Sequence, residues 1–152
     1  MIKVIAIGKC KERALIDLVN DYKKRIKYFH AIEIMELAEY PDNKNVPVAI
    51  KQESLHILRK LKDQDYMILL DLAGEDLDSL AFAGKMATLL SYPGNICFVI
   101  GGSNGVSQEL KNRADYQLRL SALTFPHQIA RLILLEQLYR SFKINTQQTY
   151  HK

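Results

Sequence analysis

The chain has 152 residues, one domain's worth, and 48% hydrophobic with 25% charged residues is the composition of a folded globular protein, which excludes a disordered or low-complexity chain. Twenty-one Lys and Arg against 17 Asp and Glu leave a formal net charge of +4, a balance that favours an anionic partner. No apolar run reaches the ~18 residues of a membrane span and no signal-peptide core opens the chain, so a cytoplasmic protein without a membrane partner is expected.

Met1 to Ile7 reads as a buried strand ending at Gly8. From Lys11 to Phe29 the apolar positions Ala14, Leu15, Leu18, Val19, Tyr22, Ile26 and Phe29 fall at helical spacing. Lys9, Lys11, Arg13, Lys23, Lys24, Arg25 and Lys27 cluster here, either as a basic patch or as a solvated helix face. Ile32 and Ile34 alternate with Glu33 in a short strand. Glu39 to Val48, with Pro41 and Pro47, reads as a loop, and a helix follows from about Ala49 to Lys62 with Ile50, Ile57, Leu58 and Leu61 on one stripe.

Tyr66 to Leu72 is a near-continuous apolar strand, with Gly74 in the turn after it. Asp78 or Ser79 caps a third helix that carries Leu80, Ala83, Ala87 and Leu90 until Pro93-Gly94 stops it. Asn95 to Ile100 is a strand that breaks at Gly101-Gly102-Ser103-Asn104-Gly105. Ser107 caps a short helix through Arg113, and Tyr116 to Leu120 forms a last strand ending in Ser121-Ala122-Leu123-Thr124-Phe125-Pro126-His127. Pro126 suits the first turn of a helix because its missing N–H is not needed there, and that helix runs to about Lys143 before a polar tail, Asn145 to Lys152. Strands alternating with helices, and apolar on both faces, predict a single α/β domain with a mostly parallel sheet flanked by helices.

Two strand ends, at Ile100 and Leu120, thus open into loops that precede helices. In open α/β sheets this edge collects backbone N–H groups and positive helix ends, and ligands bind there. The glycine turn is neither Gly-x-Gly-x-x-Gly nor a Walker sequence. Cys10 and Cys97 have no zinc spacing, and Cys97 reads as an inert packing residue inside a strand.

Phe98-Val99-Ile100-Gly101-Gly102-Ser103-Asn104-Gly105, the stretch Leu120 to His127, Arg131, Glu136-Gln137-Leu138-Tyr139-Arg140 and the terminal Tyr150-His151-Lys152 together resemble the signature of the ribosomal large-subunit methyltransferase H family. Gly8-Lys9, Tyr22 with Arg25, Leu70-Asp71 and Gly74 add to the match, which spans the chain. The resemblance implies a SPOUT-class homodimer with a carboxyl-terminal trefoil knot, using S-adenosylmethionine and no metal to methylate N3 of a pseudouridine in 23S rRNA, with the ribosome rather than DNA as partner.

It also implies that Leu70, Gly101, Leu120, Ser121, Ala122, Leu123, Thr124 and Phe125 hold the cofactor. Tyr150 and His151 would reach the substrate side, with His151 a candidate proton acceptor. A sulfonium donor needs no metal, but the imide proton of N3 must be removed, and His127 at a helix start is a second candidate acceptor beside its reading as a capping or packing histidine. Arg131 is the expected RNA contact, and Arg140 is expected to pair with Glu136. Arg119 and Thr149 depart from the family's pattern; the first bears on charge beside the cofactor, the second on the placement of the tail. Methylation of another RNA, and a noncatalytic nucleotide- or RNA-binding module, are the competing readings.

Overall fold

In the computed structural model, residues 1–41 and 45–150 are described. Chain order is β1 (Ile2–Ile7), α1 (Arg13–Lys27), β2 (Ile32–Leu37), α2 (Val46–Leu58), β3 (Tyr66–Asp76), α3 (Ser79–Leu89), β4 (Ile96–Ile100), α4 (Gln108–Arg113), β5 (Tyr116–Arg119) and α5 (His127–Asn145). The strands pair in the order β2-β1-β4-β3-β5, every pair parallel. This is the predicted α/β architecture.

Because strands buried on both faces must present apolar side chains alternately to two layers, the sheet carries two cores. On one side Val4, Ala6 and Phe98 pack with Ile26, Met86, Leu134 and Leu138 beneath α1, α3 and α5. On the other, Ile5, Ile7, Leu69 and Val99 pack with Ile57 and Leu110 beneath α2 and α4. The crossover from β1 runs towards β2 and that from β4 runs the other way to β5, so adjacent β1 and β4 form a switch point whose carboxyl ends diverge.

Local differences from the sequence reading have identifiable causes. Pro47 lies in the first turn of α2 rather than in a loop, with the Asn45 side chain accepting from the Val48 N–H at 3.2 Å, so the helix starts earlier than expected. Strand β3 continues past Leu72 to Asp76, because the chain bulges between Leu70 and Glu75 and then rejoins β5. The buried stripe of α3 is Phe82, Ala83, Met86 and Leu89, leaving Leu80 60% exposed; Leu18 on α1 is also exposed. Asp78 caps α3 and Ser107 caps α4, accepting from Ala81 N–H at 2.7 Å and Leu110 N–H at 3.2 Å. No described helix is long and apolar enough to cross a membrane.

Candidate active site

The carboxyl ends of β3, β4 and β5 enclose a cavity of about 630 Å³. Its walls come from Leu70 to Leu72, from the glycine turn with Val106, from Lys111 on α4, and from the segment after β5 as far as His127 and Ala130. Seven of the eight residues expected to hold a cofactor line it: Leu70, Gly101, Leu120, Ser121, Leu123, Thr124 and Phe125. Ala122 is exposed and lies outside the lining.

The glycine turn is held from three directions. A β-carbon on Gly101 would stand 2.5 Å from Val106 Cγ1, so only glycine lets the backbone pass Val106 as it does. Gly105 takes φ +92, which closes the bridge to Gly102. Behind the turn, α2 presents Glu53, a 6% exposed carboxylate against which a β-carbon on Gly102 would lie at 3.1 Å, and Ser54, whose Oγ accepts from the Ser107 N–H at 2.9 Å. Opposite, Ser121 Oγ accepts from the Leu123 N–H at 3.0 Å and folds the segment after β5 into a turn.

Apolar walls from Leu70, Leu72, Ile100, Val106, Leu118 and Phe125 meet two opposite charges, Asp71 and Lys111, whose Oδ2 and Nζ are 3.8 Å apart. The same Asp71 carboxylate accepts from the Ala73 N–H at 2.9 Å. In the sequence Asp71 enters only beside Leu70 in the family match, and Lys111, Glu53 and Val106 are not marked. The signal for Asp71 is a lone acidic residue inside the apolar run Tyr66 to Leu72; nothing in the spacing marks Glu53, one charge on an amphipathic helix.

Arg131 is not where an RNA contact would be. Its side chain is 2% exposed, Nη1 donating to Glu36 Oε2 at 2.6 Å and Nη2 to the Gly8 carbonyl at 3.0 Å. Burial pushes the Glu36 carboxyl up, but the Cys10 N–H and the Arg131 guanidinium outweigh it and hold Glu36 below its usual range. The pair ties the start of α5 to the ends of β1 and β2. Arg140 does pair with Glu136, Nε to Oε1 at 3.0 Å. Arg119 is bound by Asp76, with Nε to Oδ1 at 2.6 Å, and lies off the cavity lining.

His127 lines the cavity, its buried Nε2 without a hydrogen bond among the described residues and 3.7 Å from Glu39 Oε1. Tyr150 folds back on α5, donating to Glu136 Oε1 at 3.3 Å with its ring edge-on to Tyr139 at 4.9 Å. At 1.5 Å per residue these two contacts lie about 9–14 Å along α5 beyond Ala130, the last helical residue of the cavity lining. The His151 assignment lies outside the described residues.

The family model described as "Predicted SPOUT methyltransferase" matches residues 1–151. The chain belongs to the SPOUT methyltransferases. Within them it falls in the ribosomal RNA large subunit methyltransferase H family: it is 46% identical to the protein of that name from Ruminiclostridium cellulolyticum, 43% to that from Fusobacterium nucleatum and 42% to that from Clostridioides difficile, covering 99% of both chains each time. Among solved structures, the SpoU methyltransferase AviRb from Streptomyces viridochromogenes, in complex with AdoMet, overlaps 93% of this chain and 57% of its own at a TM-score of 0.46 and 12% identity. The chain is therefore an enzyme, a transferase of methyl groups.

Proposed function

We propose that this SPOUT methyltransferase uses S-adenosylmethionine to methylate N3 of a pseudouridine in 23S rRNA on the ribosome, working in the cytoplasm as a homodimer. The observation that carries the reading is the cavity formed by the Gly101 turn and the Leu120 to Phe125 segment, in a chain matched over nearly its full length by proteins named for large-subunit rRNA methylation.

The cavity suits the cofactor. Its volume is within the ~300–1,000 Å³ of small-ligand sites, its apolar walls match an adenine ring, and Asp71 and Lys111 offer opposite charges to a ribose diol and an amino-acid zwitterion. Leu70, Gly101 and the Leu120 to Phe125 segment would hold it, the knotted threading of the family supplying the two loops. When bound, it supplies an already activated methyl group. The protein's part is then to orient, to exclude water and to accept a proton; orientation alone is worth up to ~7–11 kcal/mol in favourable cases.

The homodimer is supported by α5, which keeps Ile129 and Ile133 partly exposed on the side away from the Leu134, Leu135 and Leu138 stripe. Tyr150, docked about 9–14 Å along α5 beyond the last lining residue of its own chain's cavity, serves the partner's site, together with His151, in an isologous dimer. Incubation with methyl-labelled cofactor and ribosomes from cells lacking the enzyme, followed by nucleoside mass analysis, tests the function. Label in 3-methylpseudouridine is expected; label elsewhere, or none, overturns it.

A further inference from the structure

Helix α1 follows the carboxyl end of β1 and runs back along the sheet for 15 residues, about 22 Å, so its last turn stands at the amino edge, where the Ile2 N–H donates to the Ala31 carbonyl at 2.9 Å. That turn holds Lys24, Arg25 and Lys27, with Lys23 just before it, and Tyr28 continues the helical course at φ -65 and ψ -26. Tyr28 is 83% exposed, more than any other large apolar side chain among the described residues. Positions three and four apart on a helix are neighbours, so Lys24 flanks both Lys27 and Tyr28, and Lys23 flanks Lys27.

The charge of this helix end is not neutralised locally. Between Asn20 and Ala31 the only acid is Asp21, against four Lys and Arg. Asp21 pairs with Arg25 at 2.7 Å, and Asp17, a turn earlier, pairs with Arg13 at 3.3 Å. Lys23, Lys24 and Lys27 enter no ion pair among the described residues, and Glu33, the next acid along the chain, is in register with Lys3. The carboxyl end of α2 is also basic, with Arg59, Lys60 and Lys62, but Asp63 follows directly and no tyrosine, phenylalanine or tryptophan occurs from Val46 to Asp65. Beside Tyr28, Phe29 stacks on Phe142 at 5.3 Å and meets Tyr139 edge-on at 6.3 Å, and Tyr139 in turn meets Tyr150. These rings join the end of α1 to the seat of Tyr150, at the edge of the sheet opposite to the cavity of the same chain.

We propose that this end of α1 is a docking surface for ribosomal RNA, an unpaired strand with its phosphates at Lys23, Lys24 and Lys27 and one base stacked on the Tyr28 ring. This rests on the methyltransferase and homodimer reading above. Phosphates call for cations that no carboxylate has already neutralised, and an exposed ring set among such cations offers a stacking face to any base, the combination by which proteins hold single strands without reading their sequence. The surface therefore positions the RNA and leaves recognition of the target to the active site. Because it lies across the sheet from its own cavity and is joined to the seat of Tyr150, RNA held on one subunit presents its target to the partner's cavity, beside the tail. Cations at the carboxyl end of a helix also suit the helix dipole. That role alone predicts a loss of stability when they are removed and no loss of ribosome affinity.

The test uses the full-length enzyme, 70S ribosomes from cells lacking it, and the variants Lys24→Ala/Lys27→Ala, Tyr28→Ala and Tyr28→Phe. Ribosome affinity is read by cosedimentation across a salt series, beside cofactor affinity by calorimetry, urea unfolding, and kcat and KM. The double variant is expected to bind about tenfold more weakly at low salt, with a slope of log affinity against log salt shallower by roughly 1–1.5, each phosphate contact on a single strand contributing ~0.7. Tyr28→Ala is expected to bind about tenfold more weakly at every salt concentration with the slope kept, and Tyr28→Phe to restore wild-type affinity. In all three the loss appears in KM, with kcat and cofactor affinity kept. A double variant with wild-type ribosome affinity overturns the surface, whether or not its stability falls. Tyr28→Ala with wild-type affinity, or Tyr28→Phe as weak as Tyr28→Ala, overturns the stacking. Variants weakened on ribosomes that still bind protein-free 23S rRNA like wild type overturn the RNA assignment in favour of a ribosomal protein. Wild-type enzyme that binds ribosomes through this surface but methylates nothing counts against the methyltransferase reading instead.

Discussion

Arg131 and Glu36 meet inside the protein, Nη1 to Oε2 at 2.6 Å, with the arginine 2% exposed. The pair joins the first turns of α5 to the end of β2, and a second bond from the guanidinium to the Gly8 carbonyl brings in the end of β1. Truncating the arginine leaves the Gly8 carbonyl and the Glu36 carboxylate, itself 34% exposed and so partly hydrated, without this donor, which costs about 1–3 kcal/mol. Arg131→Ala should therefore lower the unfolding free energy by that amount in urea titrations. A loss below about 1 kcal/mol would show that the clamp is not holding the two ends together.

The glycine turn leads to a second expectation. At Gly101 a valine side chain would drive into Val106, displacing the turn that walls the cofactor cavity, while the strand before it stays paired with β1. Gly101→Val should fold and lose at least ~1.4 kcal/mol, tenfold, of S-adenosylmethionine affinity. Calorimetry giving wild-type affinity in a folded variant would contradict this.

At the opposite end of the sheet, Asp65 is 1% exposed and accepts from the N–H groups of Lys62 and Asn95 and from the Asn95 amide. Burial pushes its carboxyl pKa up, but these hydrogen bonds outweigh it, so the folded protein holds Asp65 below the usual carboxylate range. A depressed folded value gives stability that is complete above the unfolded value of about 3.9 and is lost as pH falls through the folded one. Asp65→Asn should be less stable than wild type by ~1–3 kcal/mol between pH 5 and 8, and the gap should close below about pH 4. A gap that persists unchanged at pH 2.5 would disprove the linkage.

The docking of Tyr150 far along α5 makes subunit mixing informative. A Gly101→Val chain has a damaged cofactor turn and a sound tail; a chain ending at Gln148 has the reverse. Each homodimer should be nearly inactive on ribosomes. Exchanged into heterodimers, they should regain roughly a quarter to a half of wild-type activity, since one of the two sites combines a sound turn with a sound tail. Verified heterodimers as inactive as both parents would rule out a tail acting in trans.

Much of this was legible in the residues because the strands are apolar runs of strand length and the caps at Asp78 and Ser107 are local chemistry. The glycine turn and the segment after β5 could be placed at one sheet edge for the same reason. What escaped depends on direction. An arginine one turn into a helix reads alike whether its guanidinium points at RNA or at a buried Glu36, and only tertiary packing decided for the latter. Gly74 reads as a turn residue, but its backbone runs so close to β5 that a β-carbon would lie 2.7 Å from the Gln117 carbonyl carbon, the mark of a bulge that lets β3 resume. Pro47 reads as a loop residue until Asn45 is seen capping the helix around it. Cys97 is as inert as its strand suggested, burial and the nearby Asp65 pushing its thiol up to about 12.

The strand order also has a kinetic side. β4 lies between β1 and β3, so Ile2 must find Ile96, about ninety positions along the chain, before the sheet is continuous. Contacts this far apart in sequence demand loop closure before they return any stabilisation, and chains dominated by them fold in milliseconds to seconds rather than microseconds. During synthesis the first two strands can pair as soon as they emerge, but the β1 edge of that pair, interior in the finished sheet, stays open until β4 arrives. That edge is then a template for misassociation beside the permanent edge at β2, and conditions that slow elongation between β2 and β4 should lengthen the interval in which a nascent chain depends on chaperones.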